Sequence, residues 1–219
     1  MEWDWTFVRE IMPTLLQGLK LTLLVTLLAS FVAAGLGLAF AIARRSSNAL
    51  ISRPTGAVVE FIRGTPLLVQ LYFIFYVLPD VGIRLPALVA GIIGMGLHYA
   101  TYAAEVYRAG IENVPKGQWE AARATNLTMR QTWVHVIVPQ AVPPMIPALA
   151  NYLIAMFKET PLLSAITVLE LMNQAKSVAN TYYRYIEPMT LVGLLFLAMS
   201  LISVVILRML ESRFGSIEK

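Results

Sequence analysis

Runs of apolar residues close to the length of a bilayer crossing dominate this chain, and no other feature narrows its fold so far. A helix needs about 20 apolar residues to cross a membrane. The first run covers residues 14–43 and is followed at once by Arg44 and Arg45. The second, 54–78, is interrupted by Glu60 and by Arg63-Gly64-Thr65-Pro66. It is expected to bend or break there, because proline cannot continue a helix undisturbed. The third covers 85–106, the fourth 141–165 with Pro143, Pro144, Pro147 and Pro161, and the fifth 189–208. Polar stretches separate them, the longest at 107–140 and another at 170–187. Of the 219 residues, 58% are hydrophobic and only 14% charged, where a soluble domain carries roughly a quarter charged. An all-α integral membrane protein with five transmembrane helices is expected.

Five crossings put the two ends on opposite sides. With the N-terminus outside and the C-terminus cytoplasmic, the inner segments hold Arg44, Arg45, Arg53, Arg63, Arg108, Lys116, Arg123, Arg130, Arg208, Arg213 and Lys219. The outer ones hold only Arg9, Arg84, Lys176 and Arg184. That asymmetry satisfies the positive-inside rule and the reverse orientation violates it. Residues 1–11 are then a short extracytoplasmic start, 107–140 a cytoplasmic loop and 213–219 a cytoplasmic tail. Glu2, Asp4 and Glu10, together with the length of the first run, argue against a cleavable signal.

Several function classes drop out. The net charge of +4 is explained by the inner loops, with no basic and aromatic stripe for nucleic acid. The absence of cysteine removes disulfides, thiolate metal sites and cysteine nucleophiles. His98 and His135 lack ligand spacing, and His98 reads as a packed or interfacial residue. Ala33, Gly35 and Gly37, with Gly91, Gly94 and Gly96, offer small surfaces where helices can approach closely.

The loop 107–140 reads as two short helices around a turn. Lys116, Glu120 and Arg123 stand at helical spacing for local ion pairs. Asn126 tolerates the left-handed conformation. Thr128 with Gln131 has the pattern of a capping box. Trp119, Ala122, Met129 and Trp133 form a candidate apolar face.

Glu120-Ala121-Ala122, with Asn126, Val136, Val138 and Pro139 following at matching intervals, resembles the EAA motif of ABC importer permeases. Asn126 stands where that motif has glycine. Phe61-Ile62-Arg63-Gly64-Thr65-Pro66-Leu67-Leu68, Tyr102-Ala103-Ala104-Glu105 and Lys158-Glu159-Thr160-Pro161-Leu162 are similar, in order, to motifs of the polar amino acid permease family. The resemblance covers about residues 12–212 and implies the type I (MetI-like) permease fold. It further implies a cytoplasmic ABC ATPase dimer receiving Glu120, Ala121 and Ala122 in a cleft, and a second permease subunit, identical or a sister chain. It also implies an extracytoplasmic solute-binding protein and a bacterial inner-membrane location. No Walker A pattern is present, so ATP with its magnesium is expected on the partner and no cofactor in this chain, which is not itself an enzyme.

Ionisable side chains within a span usually face a pathway or a partner. Lys158 and Glu159 follow 17 apolar-rich residues counted from Ala141, about 25 Å along a helix, and Pro161 is expected to end it. Broken helices often build transporter sites, so Lys158, Glu159 and Thr160 are candidates for a substrate route; local pairing or snorkelling to the outer interface is the alternative. Glu105 and Arg108 read as an intrahelical ion pair or part of an inner gate, and Arg63 as an interfacial anchor or subunit contact. An ion-driven secondary transporter or channel is the rival, disfavoured by the EAA-like loop. A membrane-embedded enzyme lacks a catalytic cluster. The opening Glu2-Trp3-Asp4-Trp5-Thr6-Phe7-Val8, with Ile11 to Leu15, is similar to the ectoine and hydroxyectoine branch of the family.

Overall fold

A computed structural model describes residues 3–214 as helices joined by short turns. Asp4 starts the first. Its Oδ1 accepts from the backbone N–H of Thr6 at 2.8 Å and of Phe7 at 3.2 Å, two of the donors that a helix start leaves unpaired. Helix α1 then runs Trp5–Arg44 over 40 residues. It begins well before residue 14, so most of the stretch 1–11, read as a short extracytoplasmic start, is its first turns. Phe7, Val8, Ile11 and Leu15 are buried there in one cluster with Leu171, Ala175 and Val178.

The second run is a corner. α2 (Ala49–Gly64) and α3 (Leu67–Tyr72), which continues through a π turn and a 3-10 turn to Val81, meet at 104°. Pro66 keeps Thr65 extended, at φ −105° and ψ 141°, as the residue before a proline prefers. Gln70 closes the corner: its Nε2 donates to Ile62 O at 2.6 Å, Thr65 O at 3.1 Å and Thr65 Oγ1 at 2.8 Å. Two of these acceptors are backbone carbonyls at the break, and Ile62 O also accepts from Thr65 N and Thr65 Oγ1, so the corner is braced from both sides. Among the described residues four helices are each long and apolar enough to cross a membrane, and the bent pair makes a fifth when counted as one span.

α4 (Ala87–Glu112) lies against α1. A Cβ added at Gly37 would stand 2.7 Å from the Ala103 Cβ, and one at Gly96 2.6 Å from Val32 Cγ1, so these two positions allow the close approach. Gly35 meets nothing and takes no part. α5 (Lys116–Ala124) follows. α6 (Met129–Gln131) was expected as a separate loop helix. It instead passes without interruption through a π turn, Thr132–Ile137, into α7 (Val138–Glu159). α7 admits Pro139 at its start and Pro143, Pro144 and Pro147 within it, and gives way at Thr160 to a 3-10 turn ending at Ile166.

The stretch 170–187, read as a polar separator, holds α8 (Leu171–Tyr182). Glu170 caps it, accepting from Met172 N at 2.8 Å and Asn173 N at 2.7 Å. α9 (Ile186–Phe214) completes the bundle. The tail expected at 213–219 lies mostly, from residue 215, outside the described residues, as do Glu2 of the opening motif and Lys219. One core, including Leu71, Met95, Met156, Leu163 and Ile166, joins α3, α4, α7 and the 3-10 turn.

Candidate functional site

The hairpin between α4 and α7 is built by two local signals. Asn126 adopts φ 56°, the left-handed conformation that asparagine enters at small cost. Thr128 then starts α6 with a complete capping box: Gln131 N donates to Thr128 Oγ1 at 3.3 Å and Thr128 N donates to Gln131 Oε1 at 2.9 Å. Trp119 and Trp133 pack edge to face with centroids 5.3 Å apart, and Ala122 is buried. The apolar face is thus largely internal, because it ties the two arms together. Met129, 66% exposed, is the member left outside. Glu120, Ala121, Asn126 and Pro139 are exposed. Among the described residues Glu120 has no ion-pair partner within 4 Å, so the expected pairs with Lys116 and Arg123 do not form.

Glu105 gathers more than its helical neighbour. Its Oε2 takes Arg108 Nε at 2.9 Å, its Oε1 is bonded by Arg44 Nη1 of α1, and Arg63 Nη1 of α2 stands 3.6 Å away. Arg108 also bonds Glu112 Oε2 at 2.6 Å. Three cations on three elements converge on one carboxylate, which fastens the end of α1 and the corner of α2 to α4. The ion pair with Arg108 was legible from the spacing. Arg44, 61 residues away in sequence, was not.

The third group sits at the far end of α7, about 28 Å from Pro139 by helix rise. Lys158, Glu159 and Thr160 diverge there. Lys158 is exposed on the same stripe as Asn151, one residue pair seven apart. Glu159 turns toward α4 and accepts from Tyr99 Oη at 2.9 Å. Thr160 is fully buried and its hydroxyl donates to Phe157 O at 2.8 Å. Of the three, Thr160 is therefore held in the turn rather than on an open surface.

Around Glu159 lies an aromatic group in which Tyr99 and Tyr152 were not singled out in the sequence, Tyr102 stood only within a motif and His98 only as a packed or interfacial residue. Tyr102 and Tyr152 have centroids 5.4 Å apart, Tyr99 and Tyr102 5.9 Å, and His98 lies 5.3 Å from Tyr102. His98 Nδ1 donates to Gln70 Oε1 at 3.3 Å, so the corner brace and the tyrosine group touch. Two tyrosines three apart inside an apolar run were the available signal, since Tyr usually sits at membrane interfaces. A carboxylate and phenol hydroxyls on adjacent helices supply acceptors and donors suited to a small polar solute.

At the α8–α9 corner Arg184 pairs with Asp4 at 3.2 Å and with Glu187, and its guanidinium lies 4.5 Å from the centre of the Phe7 ring. Tyr182 Oη donates to Glu10 Oε1 at 3.0 Å. The start of α1 is latched to the start of α9. At the other end of α8, burial raises Glu170 to about 7, against the opposing pull of the Met172 and Asn173 N–H groups.

Comparison with known proteins adds three findings. The family model described as "Binding-protein-dependent transport system inner membrane component" matches residues 32–216. Among curated relatives, the probable amino-acid ABC transporter permease protein y4tG of Sinorhizobium fredii is 41% identical over 94% of this chain and 89% of its own length. YckA of Bacillus subtilis, another probable amino-acid ABC transporter permease, is 34% identical over 98% and 97%. Among solved structures, a chain of "an amino acid ABC transporter with histidines" superposes with a TM-score of 0.91 at 36% identity, covering 97% of this chain and all of that one.

Proposed function

The chain belongs to the family of binding-protein-dependent transport system inner membrane components, and from that membership we propose how its parts work. It is the integral-membrane permease subunit of an ABC importer, and ATP hydrolysis belongs to a separate subunit. ATPase and solute-binding partners come with the family. In the reading proposed here these are an ATPase dimer on the cytoplasmic side, a second permease chain alongside, and an extracytoplasmic binding protein, all in a bacterial inner membrane.

The observation that carries the coupling role is the exposed hairpin on a continuous helix. Glu120 and Ala121 face outward from α5 for an ATPase cleft, while Ala122 is buried and Trp119 packs α5 onto Trp133 of the π turn. Because α6, the π turn and α7 form one uninterrupted helix, a displacement of the hairpin travels to Lys158 and Glu159 without crossing a loop. Lys158 and Asn151 form a polar stripe that hydrocarbon would not tolerate, which suits a face shared with the second permease. Glu159 with the tyrosines then meets the solute, and Thr160 shapes the turn behind them. Arg63, Glu105 and Arg108 close the opposite end.

The solute proposed is a polar amino acid or related zwitterion. Curated relatives include a cystine transport permease of Bacillus subtilis and a glutamine transport permease of Escherichia coli. Within that class, ectoine or hydroxyectoine is the finer reading, resting on the N-terminal segment. Purified transporter in liposomes tests the scheme: Glu120→Lys is expected to abolish uptake and solute-stimulated ATP hydrolysis while α-helical content stays unchanged. Full uptake by that variant would end the coupling assignment.

A further inference from the structure

A groove of about 890 Å³ opens between the ends of α1 and α4 and the beginning of α7. Its walls are apolar, formed by Leu38, Ala41 and Ile42 of α1, Ile111 of α4, and Val142 and Met145 of α7. Its polar rim is different in kind. Arg45 and Ser46 line it on one side and Trp133 on the other, and the Arg45 guanidinium lies 5.9 Å from the centre of the Trp133 ring. Arg45 is exposed and, among the described residues, has no carboxylate within 4 Å, whereas its neighbour Arg44 is held by Glu105.

From Arg45 up to Leu38 the groove spans about 10 Å of helix. That is roughly the interfacial layer of one leaflet together with the first part of its hydrocarbon. A greasy slot of that depth, with Leu38, Ile42 and Val142 exposed along it and topped by an unpaired cation beside a tryptophan, has the shape and polarity of an amphiphile with a negative head. We propose that the groove is a binding site for an anionic phospholipid of the inner leaflet, with an acyl chain between α1 and α7 and the head-group phosphate on Arg45. The sign of the charge favours a lipid over a protein partner: one bare guanidinium above an apolar wall matches a phosphodiester, and basic pockets between transmembrane helices on the cytoplasmic side attract anionic head groups. Because Trp133 also packs on Trp119, the bound lipid would touch the coupling hairpin directly. The proposal rests on the orientation adopted above, which sets Arg45 at the inner surface.

The test uses the complete transporter, permease with its ATPase, in nanodiscs of phosphatidylcholine doped with a photoactivatable phosphatidylglycerol or, separately, a photoactivatable phosphatidylcholine. Adducts of the phosphatidylglycerol probe are expected on residues 38–46 and 138–145. They should fall about fivefold in Arg45→Gln, the loss expected when one basic side chain no longer faces an anionic head group, and return in Arg45→Lys. Equal labelling by the phosphatidylcholine probe, or labelling indifferent to Arg45→Gln, overturns the site. So does competition by glycerol phosphate, which would make free phosphate esters the ligand. A disulfide between two copies through Ile42→Cys, in a chain otherwise free of cysteine, would also overturn it by giving the groove to a second permease. Solute-stimulated ATP hydrolysis in the same discs reports separately on the transporter reading, which survives any of these failures.

Discussion

Glu105 is the residue on which most of one end of the bundle depends. Removing its charge leaves Arg44, Arg63 and Arg108 facing one another, and hydrogen bonds to charged groups contribute about 1.5–3 kcal/mol each. Because the site is about one-fifth exposed, Glu105→Gln is expected to lower stability by about 1–3 kcal/mol, read as a drop in unfolding temperature of the purified chain, with Arg44→Gln milder. Glu170 carries the opposite kind of strain. Its carboxyl is raised to about 7 by burial, so between roughly pH 4.5 and 7 the folded chain holds a proton that the unfolded chain has lost. Stability therefore falls as pH rises through that window, by up to about 3 kcal/mol, and levels off above it. Glu170→Gln should flatten the slope in melting curves taken from pH 5 to 8. A wild-type slope of the other sign would mean that the cap hydrogen bonds to Met172 and Asn173 outweigh desolvation. Sequence spacing revealed Arg108 as a partner of Glu105. Arg44 and Arg63 come from other helices, and only packing brings them in.

At the scale of elements, local chemistry carried the reading furthest. Asn126, Thr128 with Gln131, and Pro66 each act on their own backbone, so the left-handed turn, the capping box and the break in the second run could all be read before any fold was known. α8 is the instructive miss. Leu171, Ala175, Val178 and Ala179 already mark one face of a helix, but the polar residues between them made the stretch look like a connection. The continuity of α6 with α7 was hidden by prolines, which the helix accommodates. Asn126 gives the sharpest experiment here. Asn126→Gly keeps the turn and is expected to leave uptake near normal. Asn126→Val forces a β-branched side chain to positive φ, at a cost of about 1–2 kcal/mol, and should uncouple ATP hydrolysis from uptake. Equal uptake by the two variants would dissociate this turn from coupling.

For the whole molecule, orientation and incompleteness are the matters at stake. Gln118→Cys and Tyr183→Cys, placed one at a time, are expected to react with an impermeant maleimide only from the cytoplasmic and only from the outer side of vesicles, respectively. Glu159→Gln should slow uptake about tenfold, as loss of about 1.4 kcal/mol of charge-assisted hydrogen bonding implies, in an assay of labelled solute accumulation. The bare polar stripe of Asn151 and Lys158 was readable as two residues but not as a surface, because exposure belongs to the folded chain. The corner at Pro66 bears on how such an assembly moves. Clamped by the amide of Gln70, it is a welded joint rather than a hinge, so α2 and α3 travel as a single angle iron. Two trapped facing states of one transporter should superpose over residues 49–81 and part company at 82–86, where among the described residues only backbone hydrogen bonds hold the turn.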